Sequence, residues 1–187
     1  MEITGIILAG GKSSRMGTDK ALFKVHQKQL LQHTIDFCSS FCKRLLISSN
    51  HPEHDKFGIK RIPDVVKNGG PLGGIYSTLK ETTTVWNFVL SVDTVFVEKE
   101  FVLEMTKEIG NYSAVVPFHA GGKEPLIAFY HRRITATILH QIEKKNYRMT
   151  ELLELVNTKW FDAQRWIDEY PRIFHNLNRP EDFNDVE

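Results

Sequence analysis

Near the start of the chain lies the stretch TGIILAGGKSSRMGTDKAL (residues 4–22), in which an apolar run is followed by a polar loop. The apolar run is nearly continuous, as expected for a parallel strand that is covered by helices on both faces. The loop mixes glycines and serines with three cations, and it is longer than the roughly two to six residues that usually connect core elements. Ligands of parallel sheets bind beyond the carboxyl ends of the strands. The stretch therefore predicts a central strand that leads into a binding loop.

Similar short runs recur along the chain and alternate with helical periodicity, which predicts an α/β fold with a mostly parallel central sheet. We expect strands in residues 4–10, 44–50, 58–63, 86–93, 113–118 and 123–131. We expect helices in residues 28–41, directly after the GGPLGG run (69–74), and in 98–109, 134–144 and 149–156. Because no repeat or long linker interrupts this order, we expect one domain over residues 1–187.

The charge balance excludes some classes of partner. The net charge is +1, with 24 Lys and Arg against 23 Asp and Glu, so the protein lacks the overall positive field of a nucleic-acid-binding domain. No apolar run is long enough to span a membrane. We therefore expect no nucleic acid and no membrane as partners, and a cytoplasmic location.

The cysteines and two histidines raise the question of a metal site. Cys38 and Cys42 are expected on one helical face as small core residues, because the chain has no further cysteine to complete a thiolate site. His51 and His54 have a spacing found in metal sites, but they lie in a polar segment without an obvious third ligand. We interpret both pairs as structural.

The long loop matches neither of two common phosphate loops. A Walker A loop requires lysine after its last glycine, whereas Gly17 is followed by threonine, and the dinucleotide fingerprint fails because Gly10 and Gly11 are adjacent. The residues predict a different anion cradle. Its backbone N–H groups and serine hydroxyls would donate hydrogen bonds, and Arg15 and Lys20 would supply positive charge, which suits a triphosphate.

Asp93 directly follows FVLSV, the second strongly apolar run. This position would place its carboxylate at the mouth of a buried strand, opposite the glycine loop. Mg²⁺ is commonly held by one or two carboxylates together with substrate phosphates, so Asp93 is a candidate metal ligand. The alternative is an aspartate that caps a turn or the following helix.

The loop LAGGKSSRMGTDKAL (residues 8–22) resembles the signature loop of the molybdenum cofactor guanylyltransferases, the MobA-type enzymes. The similarity extends over nearly the whole chain and is weakest in residues 134–173. It includes IPDVV (62–66), GGPLGGI (69–75), SVDTVF (91–96), EPLIAFY (124–130) and NLNRPEDF (176–183).

This resemblance implies a three-layer, Rossmann-like nucleotidyltransferase fold and a Mg²⁺ cofactor. It implies transfer of GMP from GTP to the terminal phosphate of molybdopterin (Mo-molybdopterin), with release of pyrophosphate. The N-terminal part would bind GTP and the C-terminal part the acceptor. Transient contacts with cofactor-insertion or molybdoenzyme chaperone proteins are a further implied class of partner.

The resemblance also implies roles for individual residues. Asp93 would bind the metal and contact the nucleotide, and the other implied GTP contacts are Leu8, Ala9, Gly10, Lys20 and Asp64, the last with an alternative as a turn residue after Pro63. The chemistry of the loop itself adds two residues: Arg15, which with Lys20 and Asp93 forms the predicted catalytic group, and Gly11, whose backbone can approach GTP. Four further candidates have structural alternatives as turn, cap or surface residues, namely Asn178, Gly73, Gly74 and Arg148.

Two departures from the family pattern lie beside Asp93. The family usually has cysteine two residues before the acid and proline two residues after it, where this chain has Ser91 and Val95. Proline restricts φ, so without it the turn that aims Asp93 can be looser. A noncatalytic paralogue that binds nucleotide is therefore one alternative. A related cytidylyltransferase, or another nucleotidyltransferase of this fold, is a second alternative. Gly11 argues against it, because such relatives typically have A-A-G where this chain has A-G-G.

Overall fold

The computed structural model describes residues 1–10, 19–178 and 182. Strands in these residues are β1 (Ile3–Leu8), β2 (Lys24–Val25), β3 (Lys28–Gln29), β4 (Arg44–Ser48), β5 (Arg61–Ile62), β6 (Trp86–Ser91), β7 (Ala114–His119), β8 (Gly122–Lys123), β9 (Ile127–His131) and β10 (Thr158–Asp162). The α-helices are α1 (Leu30–Ser39), α2 (Gly70–Glu81), α3 (Lys99–Thr106), α4 (Thr135–Glu143), α5 (Met149–Leu155) and α6 (Gln164–Glu169). Short 3₁₀ helices cover Lys20–Leu22, Pro52–Phe57 and Arg132–Ile134.

The main sheet has the strand order β10-β7-β9-β6-β1-β4-β5, and β8 pairs with β7. The strands β6, β1, β4 and β5 run parallel, whereas β9 is antiparallel to both β6 and β7. In the register of the central strands, Leu8 lies opposite Ser48 on one side and Ser91 on the other. The carboxyl ends of β1, β4 and β6 are therefore level, and the residues that follow them share one edge of the sheet.

Helices cover both faces of the sheet and give three layers. Alternate side chains of β1 point to opposite faces, so Ile7 packs in one cluster with α1, α3 and α6, whereas Ile6 packs in another with α2, α4 and α5. Both isoleucines are fully buried. The predicted α/β fold with a mostly parallel central sheet is confirmed.

Some boundaries differ from those predicted. Helix α2 begins at Gly70 and so includes most of the GGPLGG run, whereas the prediction placed the helix after it. Gly70 adopts a left-handed φ of 57°, which does not fit the interior of a right-handed helix, so the helix can start at this residue but not run through it. Pro71 then lies in the first helical turn, where proline is well tolerated. Strand β10 and helix α6 were not predicted, because β10 is only half-buried at most positions and shows weak periodicity.

Cys42 was expected on the same helical face as Cys38, but it lies beyond the observed helix, because α1 ends at Ser39. Its N–H donates to the Cys38 carbonyl over 2.8 Å in the turn that follows. Both thiols are free and buried, and burial raises the pKa of Cys42 to about 12. The expectation of core cysteines agrees with this environment. None of the helices in residues 1–10 and 19–178 has the length and apolar character to cross a membrane.

Candidate active site

The end of β6 brings Asp93 next to the end of β1. The Val92 N–H donates to the Leu8 carbonyl over 3.1 Å, which continues the pairing of these strands past their last residues. Asp93 follows at once, and its own carbonyl accepts from the Leu177 N–H over 3.0 Å. The Asp93 carboxylate is therefore held at the carboxyl edge of the sheet, where the residue preceding the glycine loop also lies.

The ammonium of Lys20 joins two oxygen atoms from distant parts of the chain. Its Nζ donates to Asp93 Oδ2 over 2.9 Å and to Asn178 Oδ1 over 3.0 Å. The second carboxylate oxygen of Asp93 accepts from the Ser91 hydroxyl. Lys20 and Asp93 are only 15% and 21% exposed in their side chains, so solvent screens this pair less than a surface ion pair. Three predicted site residues, Lys20, Asp93 and Asn178, thus meet in one cluster.

The position of Lys20 depends on a capped turn. Lys20 begins a 3₁₀ helix, and the Asp19 carboxylate caps that helix by accepting from the Ala21 N–H over 3.0 Å. The Asp19 carbonyl accepts from the Leu22 N–H, and the Lys20 carbonyl accepts from the Phe23 N–H. These bonds fix the backbone from which the Lys20 side chain extends.

The segment that carries Asn178, residues 173–178, is anchored by apolar side chains. Ile173 and Leu177 are buried at 1% and 0% exposure. The Phe174 ring packs edge-on against Phe101 and is stacked on the His119 ring, with centroids 5.4 and 5.3 Å apart. This packing makes the C-terminal segment part of the core and directs Asn178 towards Lys20.

A second polar group surrounds Asp64, after β5. The Ser48 hydroxyl donates to Asp64 Oδ1 over 3.3 Å, and the Asn50 amide donates to Asp64 Oδ2 over 3.4 Å. The Asp64 N–H donates in return to Asn50 Oδ1 over 2.9 Å. Burial raises the pKa of Asp64 above its ordinary value, and the hydrogen bonds from Ser48 and Asn50 partly oppose this rise.

A cavity of about 660 Å³ opens beside Asp64. It is lined by Gly10, Asn50, His51, Asp64, Asn68, Gly69, Gly70 and Pro71. Asn68 and Gly70 adopt left-handed φ values of 58° and 57°, which bend the chain around the cavity mouth. Asn50 was not predicted from sequence, because it belongs to no glycine motif. Asn50 lies two residues after β4, at the same edge of the sheet as Asp93. That position could have identified Asn50 as a site residue, because ligands bind beyond the carboxyl ends of parallel strands.

The glycines at the start of α2 divide into two groups. Gly69 and Gly70 line the cavity, whereas Gly73 and Gly74 are buried within the helix. A Cβ atom at Gly74 would lie 2.4 Å from Ser48 Oγ and 3.4 Å from Asp64 Oδ1. The absence of that atom allows α2 to approach β4 and Asp64. The contacts of Gly73 and Gly74 are therefore packing contacts beside the cavity rather than contacts with its interior.

The other predicted site residues have varied positions. Leu8 and Ala9 are buried at the end of β1, and the Ala9 N–H donates to the Ser48 carbonyl over 3.0 Å. Arg148 is 78% exposed and pairs with Glu151, and no contact in the described part of the chain joins it to the Lys20 cluster. The predictions for Gly11 and Arg15, like those for the serines of the loop, concern positions outside the described residues.

Histidines 51 and 54 face the carboxylate of Asp19. His54 Nε2 lies 2.8 Å and His51 Nδ1 3.7 Å from Asp19 Oδ2. No cluster of three or more His, Cys, Asp or Glu side chains in residues 1–10 and 19–178 is arranged to hold a metal ion. Any metal in the candidate site would therefore need ligands beyond the described carboxylates, such as substrate phosphates and water.

Comparisons with known proteins give a consistent result. The family model of the MobA-like NTP transferase domain matches residues 5–159. A protein of Natranaerobius thermophilus, named as a probable molybdenum cofactor guanylyltransferase, is 33% identical over 96% of this chain and 92% of its own length.

Solved structures show the same fold. The molybdopterin-guanine dinucleotide biosynthesis protein A of Archaeoglobus fulgidus superimposes with a TM-score of 0.83 at 22% identity, covering 98% of this chain and 96% of its own. The 2-C-methyl-D-erythritol 4-phosphate cytidylyltransferase of Thermus thermophilus superimposes with a TM-score of 0.73 at 14% identity, covering 100% and 98%. The fold alone therefore does not determine which base is used.

Proposed function

We propose that this chain, which belongs to the MobA-like NTP transferase family, is a molybdenum cofactor guanylyltransferase. It transfers GMP from GTP to the terminal phosphate of molybdopterin (Mo-molybdopterin). A phosphate oxygen of the acceptor attacks the α-phosphorus of GTP, the bond to the β-phosphate oxygen breaks, and pyrophosphate leaves. The observation that carries this proposal is the meeting of Lys20, Asp93 and Asn178 at the carboxyl edge of the sheet.

The cavity beside Asp64 is the proposed site of the guanosine. Guanine offers a ring N–H and an amino group as donors, and a carboxylate accepts several hydrogen bonds at once. Asp64 and Asn50 both line the cavity, and each already holds the other in place through the hydrogen bonds between them. A base without matching donors would leave the partly buried Asp64 carboxylate without the further hydrogen bonds that guanine offers, which costs free energy. This gives a physical reason for preferring GTP.

Lys20 is the proposed phosphate-binding cation. Nucleotidyl transfer concentrates negative charge on the phosphoryl oxygens and on the departing pyrophosphate, so positioning and electrostatic stabilisation dominate catalysis. Gly10 lines the cavity and begins the loop that ends at Lys20. The triphosphate would extend from the base cavity along this loop, with Arg15 as a second cation.

Asp93 is the proposed ligand of Mg²⁺. The donor set fits a hard cation, because oxygen atoms of Asp93 and Asn178 already converge on one ammonium. A single carboxylate suffices when substrate phosphates and water complete the coordination. When bound, Mg²⁺ would neutralise the charge that develops on the phosphoryl oxygens. The Ser91 hydroxyl orients the carboxylate from its other oxygen.

A cytoplasmic location is part of the proposal. Both cysteines are free and buried, which is in keeping with a reducing compartment. GTP and molybdopterin are the proposed substrates, and transient contacts with cofactor-insertion or molybdoenzyme chaperone proteins stay a prediction from the family resemblance.

Release of pyrophosphate tests the proposal. The purified protein is incubated with molybdopterin and with GTP, CTP or ATP, with and without Mg²⁺. If the protein transfers guanylyl groups, pyrophosphate is released only when GTP, molybdopterin and Mg²⁺ are all present. Equal release with CTP would instead indicate the cytidylyltransferase alternative, and GTP binding without any release would indicate the noncatalytic one.

A further inference from the structure

The carboxylate of Asp19 is held between a helix N-terminus and a buried histidine. Its Oδ1 accepts from the Ala21 N–H over 3.0 Å, which caps the turn that carries Lys20. Its Oδ2 lies 2.8 Å from Nε2 of His54, whose side chain is fully buried. The two oxygens of one carboxylate thus connect the turn of Lys20 to the segment that follows β4.

His54 belongs to a firmly attached segment. It lies in the 3₁₀ helix Pro52–Phe57, which is tied to the sheet by the Arg61 side chain of β5. Arg61 donates to Asp55 Oδ1 over 2.8 Å and to the Ser49 carbonyl over 3.1 Å. The His54 ring also packs edge-on against Phe57. Because Arg61 holds both this helix, at Asp55, and the chain that leads into it, at Ser49, His54 offers Asp19 a firmly placed contact.

The chemistry of the contact favours a neutral histidine that donates. Burial lowers the pKa of His54, and the attraction of Asp19 opposes this effect only in part. A carboxylate only accepts hydrogen bonds, so it favours the tautomer with hydrogen on Nε2. The contact has the distance of a hydrogen bond but not its angle, and both atoms lack a hydrogen-bond partner among the described residues. A small rotation of either side chain would align them, and the cost of leaving two buried polar atoms unpaired favours that rotation.

We propose that His54 is a positioning residue that acts through Asp19 to place the ammonium of Lys20. The inference rests on the proposed function, which assigns Lys20 to the phosphates. Asp19 and Lys20 are adjacent, so a displaced Asp19 carboxylate uncaps the turn and moves the Lys20 side chain relative to Asp93 and Asn178. Displacement of a reacting group by about 1 Å can cost on the order of 10²-fold in rate.

Three variants test the inference by kinetics. His54→Phe keeps a ring and removes the N–H donor, whereas His54→Gln keeps a donor. His131→Phe is the matched control, because His131 packs on Trp86 with ring centroids 5.2 Å apart and its contacts lie away from the site. We expect His54→Phe to lower kcat about tenfold with KM for GTP within about threefold, and His54→Gln to recover most of the loss. The control should keep kcat within about twofold of the parent.

The decisive comparison uses a second background. If His54 acts through Lys20, His54→Phe should cause less than about a twofold further loss of kcat in a Lys20→Ala protein. An equal loss in both backgrounds would show an effect independent of Lys20 and would overturn the inference. Should His54→Phe melt below the assay temperature, Asp19→Ser replaces it, because a serine hydroxyl can still accept from the Ala21 N–H but is too short to reach His54.

A measurement without turnover separates this inference from the proposed function. Acetylation of the Lys20 amine by acetic anhydride is followed by mass spectrometry in the full chain without substrates. We expect His54→Phe to accelerate modification of Lys20 at least about threefold, with no change in the His131→Phe control. Unchanged reactivity would overturn the inference even if guanylyl transfer is observed, and absence of transfer in the parent protein would refute only the proposed function.

Discussion

Replacing Asp93 by asparagine separates the roles of its charge and its shape. Asparagine keeps the size of the side chain and an oxygen that can accept from the Ser91 hydroxyl or from Lys20 Nζ. It removes the negative charge that would bind Mg²⁺ beside the α-phosphate. Metal polarisation of a phosphoryl oxygen contributes several kcal/mol, and about 4 kcal/mol corresponds to roughly 10³-fold in rate. We therefore expect a loss of about 10³-fold or more in guanylyl transfer.

The effect of Asp93→Asn on stability should be small. The charge-assisted hydrogen bond from Lys20 Nζ, at 2.9 Å, becomes a bond to a neutral acceptor. That exchange is worth about 1 kcal/mol, which corresponds to a fall in Tm of roughly 2–4 °C for a chain of this size. Asp36→Asn is the matched control, because Asp36 pairs with Lys28 over 2.8 Å on the protein surface. The control should keep the parental rate.

The assay combines GTP-dependent release of pyrophosphate with thermal melts and a titration of Mg²⁺ or Mn²⁺. High metal concentration should restore only part of the lost rate. A variant that melts like the parent and turns over within about threefold of it would refute the reasoning, because Asp93 could then be a turn or cap residue only.

Three further substitutions address neighbouring groups. Lys20→Ala should lower kcat more than it raises KM for GTP, because a cation beside the negative charge that develops on the phosphoryl oxygens acts mainly in the transition state. Steady-state kinetics in which only KM rises would contradict this role. Ser91→Ala should raise the Mg²⁺ concentration for half-maximal rate several-fold, because Asp93 loses one orienting bond; an unchanged titration curve argues against that role. Asp64→Asn should raise Tm at pH 7 and weaken GTP binding in calorimetry. Because burial raises the folded-state pKa of Asp64, its ionised form destabilises the folded protein above that pKa. The gain in Tm should shrink as pH falls through the raised pKa, because the parental Asp64 is then protonated and neutral like asparagine. A gain that grows towards acid pH would contradict a raised pKa for Asp64.

The central strands and the main site residues were predictable from sequence for a clear reason. β1 and β6 are buried at nearly every position, so their residues form almost unbroken apolar runs. Lys20 and Asp93 follow the ends of these runs, and the level carboxyl ends of parallel strands bring such residues together. The sequence therefore contained local signals for both the strands and this pair.

Other parts of the site depend on packing between distant segments. Asn178 reaches Lys20 because Ile173 and Leu177 are buried against the sheet, and two apolar residues in a polar tail carry little periodicity. Asn50 belongs to no motif and was not predicted. The contact between Asp19 and His54 joins residues 35 positions apart by number; the histidines were interpreted from sequence as structural, but Asp19 was not predicted as their partner. Long-range contacts of this kind leave no local pattern in a single sequence.

A direct competition between nucleotides tests the central claim most directly. The protein is given Mg²⁺, molybdopterin, and GTP and CTP at equal concentrations, and the dinucleotide products are separated and identified by mass spectrometry. Their ratio reports the ratio of kcat/KM values. Because Asp64 and Asn50 line the cavity proposed for guanosine, we expect the guanine dinucleotide to exceed the cytosine dinucleotide at least about tenfold. Equal amounts of the two products, or no dinucleotide at all, would contradict the assignment of this chain as a guanylyltransferase.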